Sequence, residues 1–313
     1  MTYIPELIML VGLAGSGKST YASTLGNDFI IHSSDDLRKE MFGDENENSK
    51  ESNAKLFIEL HKRIKTDLIN GNNVVYDATN LNRKRRISFL NELVNIPCKK
   101  SCMLIMSPYH VCLRNNKCRD RTVPEEVIKR MYMNFQPPII NEGWDSIDII
   151  FSCNVREFKD YNIGTLFNKA TGIDYFNQCN SHHSFTLGEH SKKAARYIQD
   201  HCPKNYILCL TALLHDEGKV FTKTNINAKG YNDGNCHYYQ HNCVGAYNSI
   251  FYTYNLKYSL EDVLHVATLI YYHMHPYTVW KNSEKAKDKD IKLLGTDLFN
   301  EIMILNKADE YAH

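Results

Sequence analysis

The stretch GLAGSGKST, residues 12–20, follows directly on the apolar run ELIMLV at residues 6–11. Residues Gly12–Ser19 match the pattern G-x-x-x-x-G-K-[ST], in which glycines let backbone N–H groups face phosphate oxygens at the start of a helix. A buried strand before the loop and a helix after it form the context in which this pattern binds a nucleoside triphosphate. Lys18 is expected to pair with the β- and γ-phosphates, and Ser19 to hold Mg²⁺. The residues predicted to contact the triphosphate are Gly15, Ser16, Gly17, Lys18, Ser19 and Thr20.

The composition is that of a globular chain with more than one domain. Its 313 residues suit two domains, and 43% of them are hydrophobic and 23% charged. The formal net charge of +1 is not that of a duplex-DNA binder, so any contact with nucleic acid must come from local arginine patches. No apolar run reaches the length of a membrane span and no signal peptide is visible, so a cytoplasmic protein without membrane contact is expected. The ten cysteines include no C-x-x-C pair and are expected to be reduced thiols.

Hydrophobic periodicity changes in the middle of the chain. Residues 1–155 alternate short apolar runs with longer segments of helical spacing, which predicts a parallel sheet with helices on both faces. Beyond this point only helical spacing continues, and eleven of the fourteen histidines lie at or after residue 182. Residues 223–236 are rich in Asn, Gly and Lys and are expected to form a loop. We therefore predict an α/β domain over residues 1–155 and an all-α, metal-binding domain over residues 156–313. The expected strands are 7–11, 29–31, 73–76, 102–106 and 147–153, and the expected helices include 53–69, 84–94, 187–200, 206–215, 260–274 and 296–308.

Acidic residues follow the second predicted strand, in HSSDDLRKE at residues 32–40. The carboxyl ends of parallel strands line the ligand crevice of such a sheet. Asp35 and Asp36 are therefore placed to reach a reacting centre, where a carboxylate can take the proton of an attacking hydroxyl. Asp36 can equally be only a helix N-cap. Arg38, one helical turn beyond Asp35, is placed to bind an anion on the acceptor.

Two further stretches carry polar and basic residues. One, VVYDATNLNRKRR at residues 74–86, ends the third predicted strand and runs into a basic helix start. The other, RNNKCRDR at residues 114–121, lies on a helix–loop segment. Arginines of the second stretch could close over a transferring phosphoryl group, although such basic runs are often only solvated surface. The residues singled out are Asp77, Thr79, Asn80, Arg114, Arg119 and Arg121.

The motifs GLAGSGKST, SDDLRKEM, YDATNLNRKRR and RNNKCRDRTVPEEVIKRMY, in this order within residues 7–138, resemble those of the phage-type polynucleotide 5′-kinases. The resemblance implies that Asp35 is the general base on a 5′-hydroxyl and that Arg38 binds the phosphate next to that end. It implies an acceptor site organised by Asp77 with Thr79 and Asn80. It also implies an arginine lid on the γ-phosphate, with Arg119 in catalysis and Arg114 and Arg121 in ATP binding. The family often has a basic residue where this chain has Ser34.

The second half has its own candidate chemistry in TALLHDEGK, residues 211–219. His215 and Asp216 end an apolar run, so both are expected to emerge from a buried helix. Asp309 shares a helical face with Ile302 and Leu305, so that helix can present the carboxylate inward. Imidazole and carboxylate together suit Mn, Fe, Ni, Co or Zn, and such a metal activates a bound water and polarises a phosphoryl oxygen. For any single histidine, a place in the core or on the surface is the alternative.

The ordered set H…HD…H…H…D, over residues 165–313, resembles the HD phosphohydrolase superfamily. The resemblance implies that Lys219 contacts the scissile phosphate. Weaker matches are His183 and His275, and Gln240 stands where the family usually has glycine. By this likeness the metal ligands are His190, His215, Asp216 and Asp309, with His241 and His273 at positions that bind a second metal or the phosphate.

Both resemblances together suggest an enzyme that heals the ends of broken nucleic acid. Ribonucleases that use the 2′-hydroxyl leave a 2′,3′-cyclic phosphate and a 5′-hydroxyl, whereas ligases need a 3′-hydroxyl and a 5′-phosphate. The first half would add a 5′-phosphate from ATP with Mg²⁺, and the second would remove the cyclic or 2′/3′ phosphate with a transition metal. RNA ends are the favoured substrate, with DNA ends also open. A homodimer is compatible with the sequence, which does not fix the oligomeric state.

Two other functions remain open from the sequence. One is a small-metabolite kinase fused to an HD nucleotidase or phosphodiesterase, with which the lack of a large basic patch agrees. The other is an ATP-gated sensor, which would need no general base at Asp35.

Overall fold

The apolar runs of the first half form one five-stranded sheet in a computed structural model that describes residues 3–43, 47, 49–119, 121–168, 172–179 and 185–313. All neighbouring strands are parallel, as the sequence predicts. In chain order the strands are β1 (Glu6–Val11), β2 (Phe29–Ser33), β3 (Asn73–Asp77), β4 (Lys99–Met106) and β5 (Ser146–Phe151).

The order of strands across the sheet is β2-β3-β1-β4-β5. The chain therefore moves to opposite sides of β1, and a crevice opens at the carboxyl end of that strand. The loop at residues 12–17 leaves β1 at this point, so the topology itself places the glycine-rich loop at the crevice. The helices of this part are α1 (Lys18–Thr24), α2 (Ser34–Phe42), α3 (Lys50–Ile69), α4 (Arg83–Glu92), α5 (Tyr109–Lys117) and α6 (Glu125–Tyr132).

Burial explains why β1 has an unbroken apolar sequence. Residues 7–11 are all buried, as is usual for a central strand of a parallel sheet that is covered on both faces. α3 buries one stripe at four-residue spacing, which is the helical pattern that its sequence predicts. The buried residues of α3 are Leu56, Leu60, Ile64 and Leu68.

The second half is mainly helical. Contacts divide the chain into one unit of residues 1–131 and 138–153 and another of residues 132–137 and 154–313. No helix among the described residues is long and apolar enough to cross a membrane. The helices are α7 (Ile163–Leu166), α8 (Leu187–His201), α9 (Tyr206–Leu214), α10 (Lys219–Thr222), α11 (His241–Asn255), α12 (Leu260–Tyr272), α13 (Glu284–Leu294) and α14 (Thr296–Tyr311).

Two elements of the second unit differ from the sequence prediction. Residues 223–236, expected to be a loop, contribute the antiparallel strands β6 (Thr224–Ile226) and β7 (Asn232–His237). These strands are short, polar and mostly exposed, so they lack the apolar alternation from which a strand is recognised. α11 lacks periodicity for the opposite reason, because most of its residues are buried all round the helix.

A buried ion group in the first unit joins α4 to the turn before β5. Glu142 is buried and accepts from Arg83 Nε at 3.1 Å and from Arg86 Nε at 2.7 Å. Two further donors, the Ile139 N–H at 3.1 Å and the Trp144 indole at 3.3 Å, satisfy the same carboxylate. These two arginines of the basic run at 83–86 are therefore structural rather than solvated surface.

We expect Glu142→Gln to lower the free energy of unfolding of the first unit by about 3–5 kcal/mol, because it removes the negative charge that pairs with two buried guanidinium groups. Urea unfolding of the full chain measures the change. The matched control is Glu92→Gln, which removes a half-exposed carboxylate that pairs with Lys65 and His61 and is expected to cost less than about 1 kcal/mol. Equal effects of the two substitutions would contradict this account.

Candidate phosphoryl-transfer site and candidate metal centre

The loop after β1 has the backbone of a phosphate cradle. Gly15 and Gly17 have φ of +79° and +96°, a region that side chains disfavour. A Cβ on Gly15 would lie 2.2 Å from the carbonyl oxygen of Cys112, so only glycine fits there. The Gly12 N–H donates to the Thr79 carbonyl at 3.1 Å, which ties the loop to the segment after β3. The loop ends at the N-terminus of α1, where N–H groups favour an anion.

Lys18, Ser19 and Asp77 meet beside this loop. Lys18 is buried and its ammonium donates to the Leu13 carbonyl at 2.8 Å, while Thr20 lies exposed on α1. Burial lowers the pKa of Lys18, and the nearby Asp77 carboxylate opposes that shift. The Ser19 hydroxyl donates to Asp77 Oδ2 at 2.7 Å. A hydroxyl just after the phosphate loop and a carboxylate at the end of the neighbouring strand are the protein groups that hold Mg²⁺ in P-loop enzymes.

This contact gives Asp77, expected from the resemblance at the acceptor site, a second possible role. Its carboxylate is buried, and burial raises its pKa while Lys18 and Ser19 lower it. The carboxylate lies beside Ser19, the residue expected to hold Mg²⁺. The sequence could not show this contact, because residues 19 and 77 come together only through the pairing of β1 with β3.

Asp35 sits at the start of α2 with its side chain available. The N-cap of α2 is Ser33, whose hydroxyl accepts from the N–H groups of Asp35 and Asp36 at 3.2 Å each. Ser33, not Asp36, is thus the cap. Asp35 pairs instead with Arg119 at 3.3 Å and with Arg121. Two of the three arginines expected to form the lid, Arg119 and Arg121, thus form ion pairs with the candidate base.

Other residues of the expected acceptor site are engaged in holding the fold. Arg38 is buried, and its terminal nitrogens donate to the Glu47 carbonyl at 2.5 Å and to Asn53 Oδ1 at 2.8 Å. Its Nε has no hydrogen-bond partner among the described residues. Asn80, with φ of +44°, donates from its amide to the Leu10 carbonyl at 2.9 Å. Arg114 is exposed on α5 and forms no ion pair with Asp35 in the described part of the chain.

In the second unit, four histidines have one ring orientation. Each Nδ1 contacts a backbone carbonyl, so the neutral ring carries its proton there and turns the Nε2 lone pair inward. The carbonyls belong to Ala312 for His190, Ala212 for His215, Tyr238 for His241 and Ile270 for His273, at 3.3, 2.8, 2.8 and 2.6 Å.

The inward nitrogens form two groups that share Asp216. Its Oδ2 lies 3.4 Å from the Nε2 atoms of His190 and His215. Its Oδ1 lies 3.2 Å from His241 Nε2 and 3.6 Å from His273 Nε2. Asp309 joins the first group, with Oδ1 at 3.0 Å from His190 Nε2. The two groups able to hold a metal are thus His190, His215, Asp216 and Asp309, and Asp216, His241 and His273.

Helix ends bring these side chains together. His215 and His273 directly follow α9 and α12, where the carboxyl end of a helix favours a cation. His241 is the first residue of α11. Asp309 lies in α14 with Ile302 and Leu305 buried on the same side, in agreement with the spacing argument from the sequence.

The charges of the centre also favour a bound cation. Burial alone would raise the pKa of Asp216, but Lys219 and His215 hold it well below its usual range. The pKa of Asp309 is likewise held low, against burial, by His190 and His215. Burial disfavours the charged form of His190, yet the two carboxylates raise its pKa to about 9. Carboxylates that draw a proton onto His190 provide the negative charge that a metal ion would neutralise.

The spacing of the nitrogens fits a transition metal. Nε2 of His190 is 3.2 Å from Nε2 of His215, and Nε2 of His241 is 3.2 Å from Nε2 of His273. Two nitrogens at about 2.1 Å from one metal, with about 100° between them, are also about 3.2 Å apart. The residues therefore fit a metal in each group, and imidazole with carboxylate suits Mn, Fe, Co, Ni or Zn.

Other residues that the sequence singled out in this half have contacts around or outside the two groups. Lys219, expected on the scissile phosphate, pairs with Asp216 Oδ2 at 2.7 Å and donates to Gln178 Oε1 at 2.9 Å. Gln178 is buried. The sequence analysis did not single it out, because no motif or hydrophobic periodicity surrounds it. Glu217 is also buried, and burial raises its pKa to about 8. His275 lies among aromatic rings outside both groups, and His183 lies outside the described residues.

We expect the wild-type chain, loaded with Mn²⁺ or Ni²⁺ and desalted, to retain two ions. His273→Ala should retain one, because it removes a ligand of the second group only. Asp216→Ala should retain neither, since both groups use that carboxylate. Elemental analysis by mass spectrometry measures the content. His201→Ala, on exposed α8 surface, should keep the wild-type content; undiminished metal in Asp216→Ala would refute shared ligation.

Comparison with known proteins agrees with the first unit's architecture. Residues 7–138 match a family model described as an AAA domain. An L-seryl-tRNA(Sec) kinase from Methanococcus maripaludis is 30% identical over 164 residues, which cover 50% of this chain and 62% of the relative. The chain thus spans less than two thirds of the length of that relative.

Several solved structures are similar to part of the chain. A chain of a Pnkp1/Rnl/Hen1 RNA repair complex matches with 23% identity and a TM-score of 0.36, over 42% of this chain and 44% of that chain. A putative kinase from Chloroflexus aurantiacus matches with 14% identity and a TM-score of 0.41, over 50% of this chain and 92% of that one. The first unit thus has a P-loop after the first strand of a parallel five-stranded sheet, within the residues that the AAA family model matches, and a helical region follows it in the chain.

Proposed function

We propose that this chain heals both ends of a nucleic-acid break: the first unit phosphorylates a 5′-hydroxyl from ATP, and the second removes a 2′,3′-cyclic or 2′/3′ phosphate. The observation that carries the proposal is the presence, in one chain, of a P-loop with a carboxylate at its crevice and a buried centre of four histidines and two aspartates. The first set is suited to adding a phosphate and the second to hydrolysing a phosphate ester.

In the first unit, the basic groups at the crevice would bind the triphosphate and the acidic groups would hold Mg²⁺ and accept a proton. Lys18 and the loop N–H groups bind the β- and γ-phosphates, and Ser19 with Asp77 holds Mg²⁺. Asp35 takes the proton of the acceptor hydroxyl. Its pairing with Arg119 and Arg121 means that the base is neutralised until these arginines turn to another anion. The triphosphate supplies that anion, so binding of ATP both positions the lid and releases the base.

In the second unit, His190, His215, Asp216, Asp309, His241 and His273 would hold the metal. When bound, the metal would supply an activated water and polarise a phosphoryl oxygen. The protein's own part is to anchor each Nδ1 on a backbone carbonyl, so that each Nε2 faces the metal, and to keep Asp216 ionised through Lys219. The buried position of all six side chains limits access of water.

A nucleic-acid substrate is supported by the relative named L-seryl-tRNA(Sec) kinase, since that name describes an acceptor carried by RNA. The near-zero net charge agrees with recognition of an end rather than of a long duplex, because each phosphate contact needs a basic group.

The direct test uses two RNA oligonucleotides, one with a 5′-hydroxyl and one with a 2′,3′-cyclic phosphate. With γ-labelled ATP and Mg²⁺, label should pass to the first, and with Mn²⁺ or Ni²⁺ the second should lose its phosphate. Matching DNA oligonucleotides determine the sugar preference. Label transfer only to free nucleosides or sugars would favour the small-metabolite kinase instead.

We expect Asp35→Ala to lower 5′ phosphorylation by about 10²–10⁴-fold, the usual effect of a positioned base, and Lys18→Ala to lower it by at least about 10²-fold. Phosphate removal from the cyclic end should be unchanged. The matched control is Asp36→Ala, which removes the neighbouring exposed carboxylate of the same helical turn and should keep the wild-type rate. Near-full activity of Asp35→Ala at saturating ATP would contradict the base assignment.

We expect His215→Ala to abolish removal of the 2′,3′-cyclic phosphate and to leave 5′ phosphorylation intact, because the P-loop unit uses its own Mg²⁺. The rate of phosphate release from the cyclic end measures the effect, and His201→Ala again serves as the control. Full phosphate release by His215→Ala in a metal-free buffer with chelator would show that the centre is not the hydrolytic site.

A further inference from the structure

Two cysteine side chains meet in the second unit, outside both groups of candidate metal ligands. Cys179 is exposed in the irregular segment before α8, and Cys236 is buried on β7. The Cys236 N–H donates to the Cys179 carbonyl at 3.1 Å, and the two side chains interact. The two cysteines are therefore neighbours in space, and one backbone hydrogen bond joins the segments that carry them.

The sulfur of Cys179, the exposed cysteine of the pair, accepts a hydrogen bond from a lysine ammonium. The Lys223 ammonium donates to Cys179 Sγ at 3.4 Å and to the Asn177 carbonyl at 3.0 Å. A nearby ammonium stabilises the negative charge of a thiolate, which is the form of cysteine that reacts. Cys236 has a different environment, since its thiol contacts Asn225 Oδ1 at 3.3 Å. One sulfur is thus accessible and beside a cation, and the other is shielded but within reach of the first.

The backbone at Cys179 is also unusual. Its φ is +47°, a conformation that costs energy for a residue with a side chain. The Asn177 side chain maintains it by accepting from the Cys179 N–H at 2.8 Å. Strained conformations of this kind concentrate at functional positions because the surrounding contacts must hold them in place.

We infer that Cys179 and Cys236 form a peroxide-sensitive dithiol, in which Cys179 is oxidised first and Cys236 resolves it to a disulfide. The Cys179 thiolate attacks one oxygen of hydrogen peroxide and the O–O bond breaks, which gives a sulfenic acid and hydroxide. The Cys236 sulfur then attacks the sulfenic sulfur, the S–O bond breaks, and the thiol proton leaves with the hydroxyl as water. Two thiols lose two electrons in total, and one peroxide becomes two waters.

The pair lies next to the candidate metal centre along the chain and through contacts. Gln178, the neighbour of Cys179, accepts from Lys219 at 2.9 Å, and Lys219 pairs with Asp216. The Tyr238 hydroxyl donates to the Gln178 carbonyl. A disulfide would therefore link β7 to the segment that supplies Gln178.

The test treats the reduced, folded full-length chain with about equimolar hydrogen peroxide and maps peptides without reduction. The expected product is one linked peptide pair that contains Cys179 and Cys236. In Cys236→Ser the sulfenic acid should persist at Cys179 and be trapped by dimedone, and in Cys179→Ser Cys236 should remain a thiol. The control is Cys118→Ser, which removes an exposed cysteine of the first unit and should leave the link unchanged.

A second measurement tests the role of the cation. Lys223→Met should slow oxidation of Cys179 by about threefold to tenfold, because the thiolate loses its counter-charge. Lys229→Met, an exposed lysine of the β6–β7 turn, should leave the rate unchanged. Oxidation of Cys179 no faster than that of Cys118, or a link that forms only in urea-unfolded protein, would overturn the inference.

Discussion

Asp216 is the residue on which the second unit depends, because its buried carboxylate faces two groups of imidazoles at once. One oxygen lies beside His190, His215 and Lys219, and the other lies beside His241 and His273. Removing such a charge from water costs several kcal/mol unless cations and hydrogen-bond donors replace the solvent. The helices that supply those groups must therefore end or begin at one point, and this requirement explains why so many polar residues occupy the core of a helical unit.

In the first unit, the sheet rather than helix ends brings the polar residues of the site together. Parallel strands bring their carboxyl ends to one edge, so the P-loop after β1, Asp77 at the end of β3 and Asp35 just after β2 lie at the same crevice. Long-range contacts then fix the loops between these residues. The Arg86 guanidinium donates to the Asn80 carbonyl at 3.0 Å and to buried Glu142, which ties the loop after β3 to the helix that follows it.

The interactions of the candidate base show how the two ligand sites of the first unit can be coupled. Asp35 and the lid arginines form ion pairs with one another, so each has a partner that substrate binding must replace. Under the proposed function, nucleotide binding would therefore free the base, a coupling that neither motif suggests when it is considered separately.

The sequence pattern was sufficient to predict those elements that depend only on residues close together in the chain. The apolar runs predict all five strands because buried parallel strands need continuous apolar sequence, and the loop motif predicts its own backbone because only glycine fits there. The hairpin at residues 224–237 was missed because its strands face solvent, and α11 was missed because it is buried on every side. The candidate ligands were named from their order in the chain, but their approach to one another was not visible in that order.

The sequence alone therefore determined the fold class of the first unit, the phosphate loop and the inventory of histidines and aspartates in the second. Only the tertiary structure decided that Asp77 lies with Ser19, that Arg38 is buried, that Lys219 contacts Asp216 and that Cys179 meets Cys236. The reason is physical: strand and helix patterns depend on neighbours within a few residues, whereas these contacts join residues far apart in the chain, except Lys219 with Asp216. They follow from how buried charges and polar groups find partners once the helices and strands have packed.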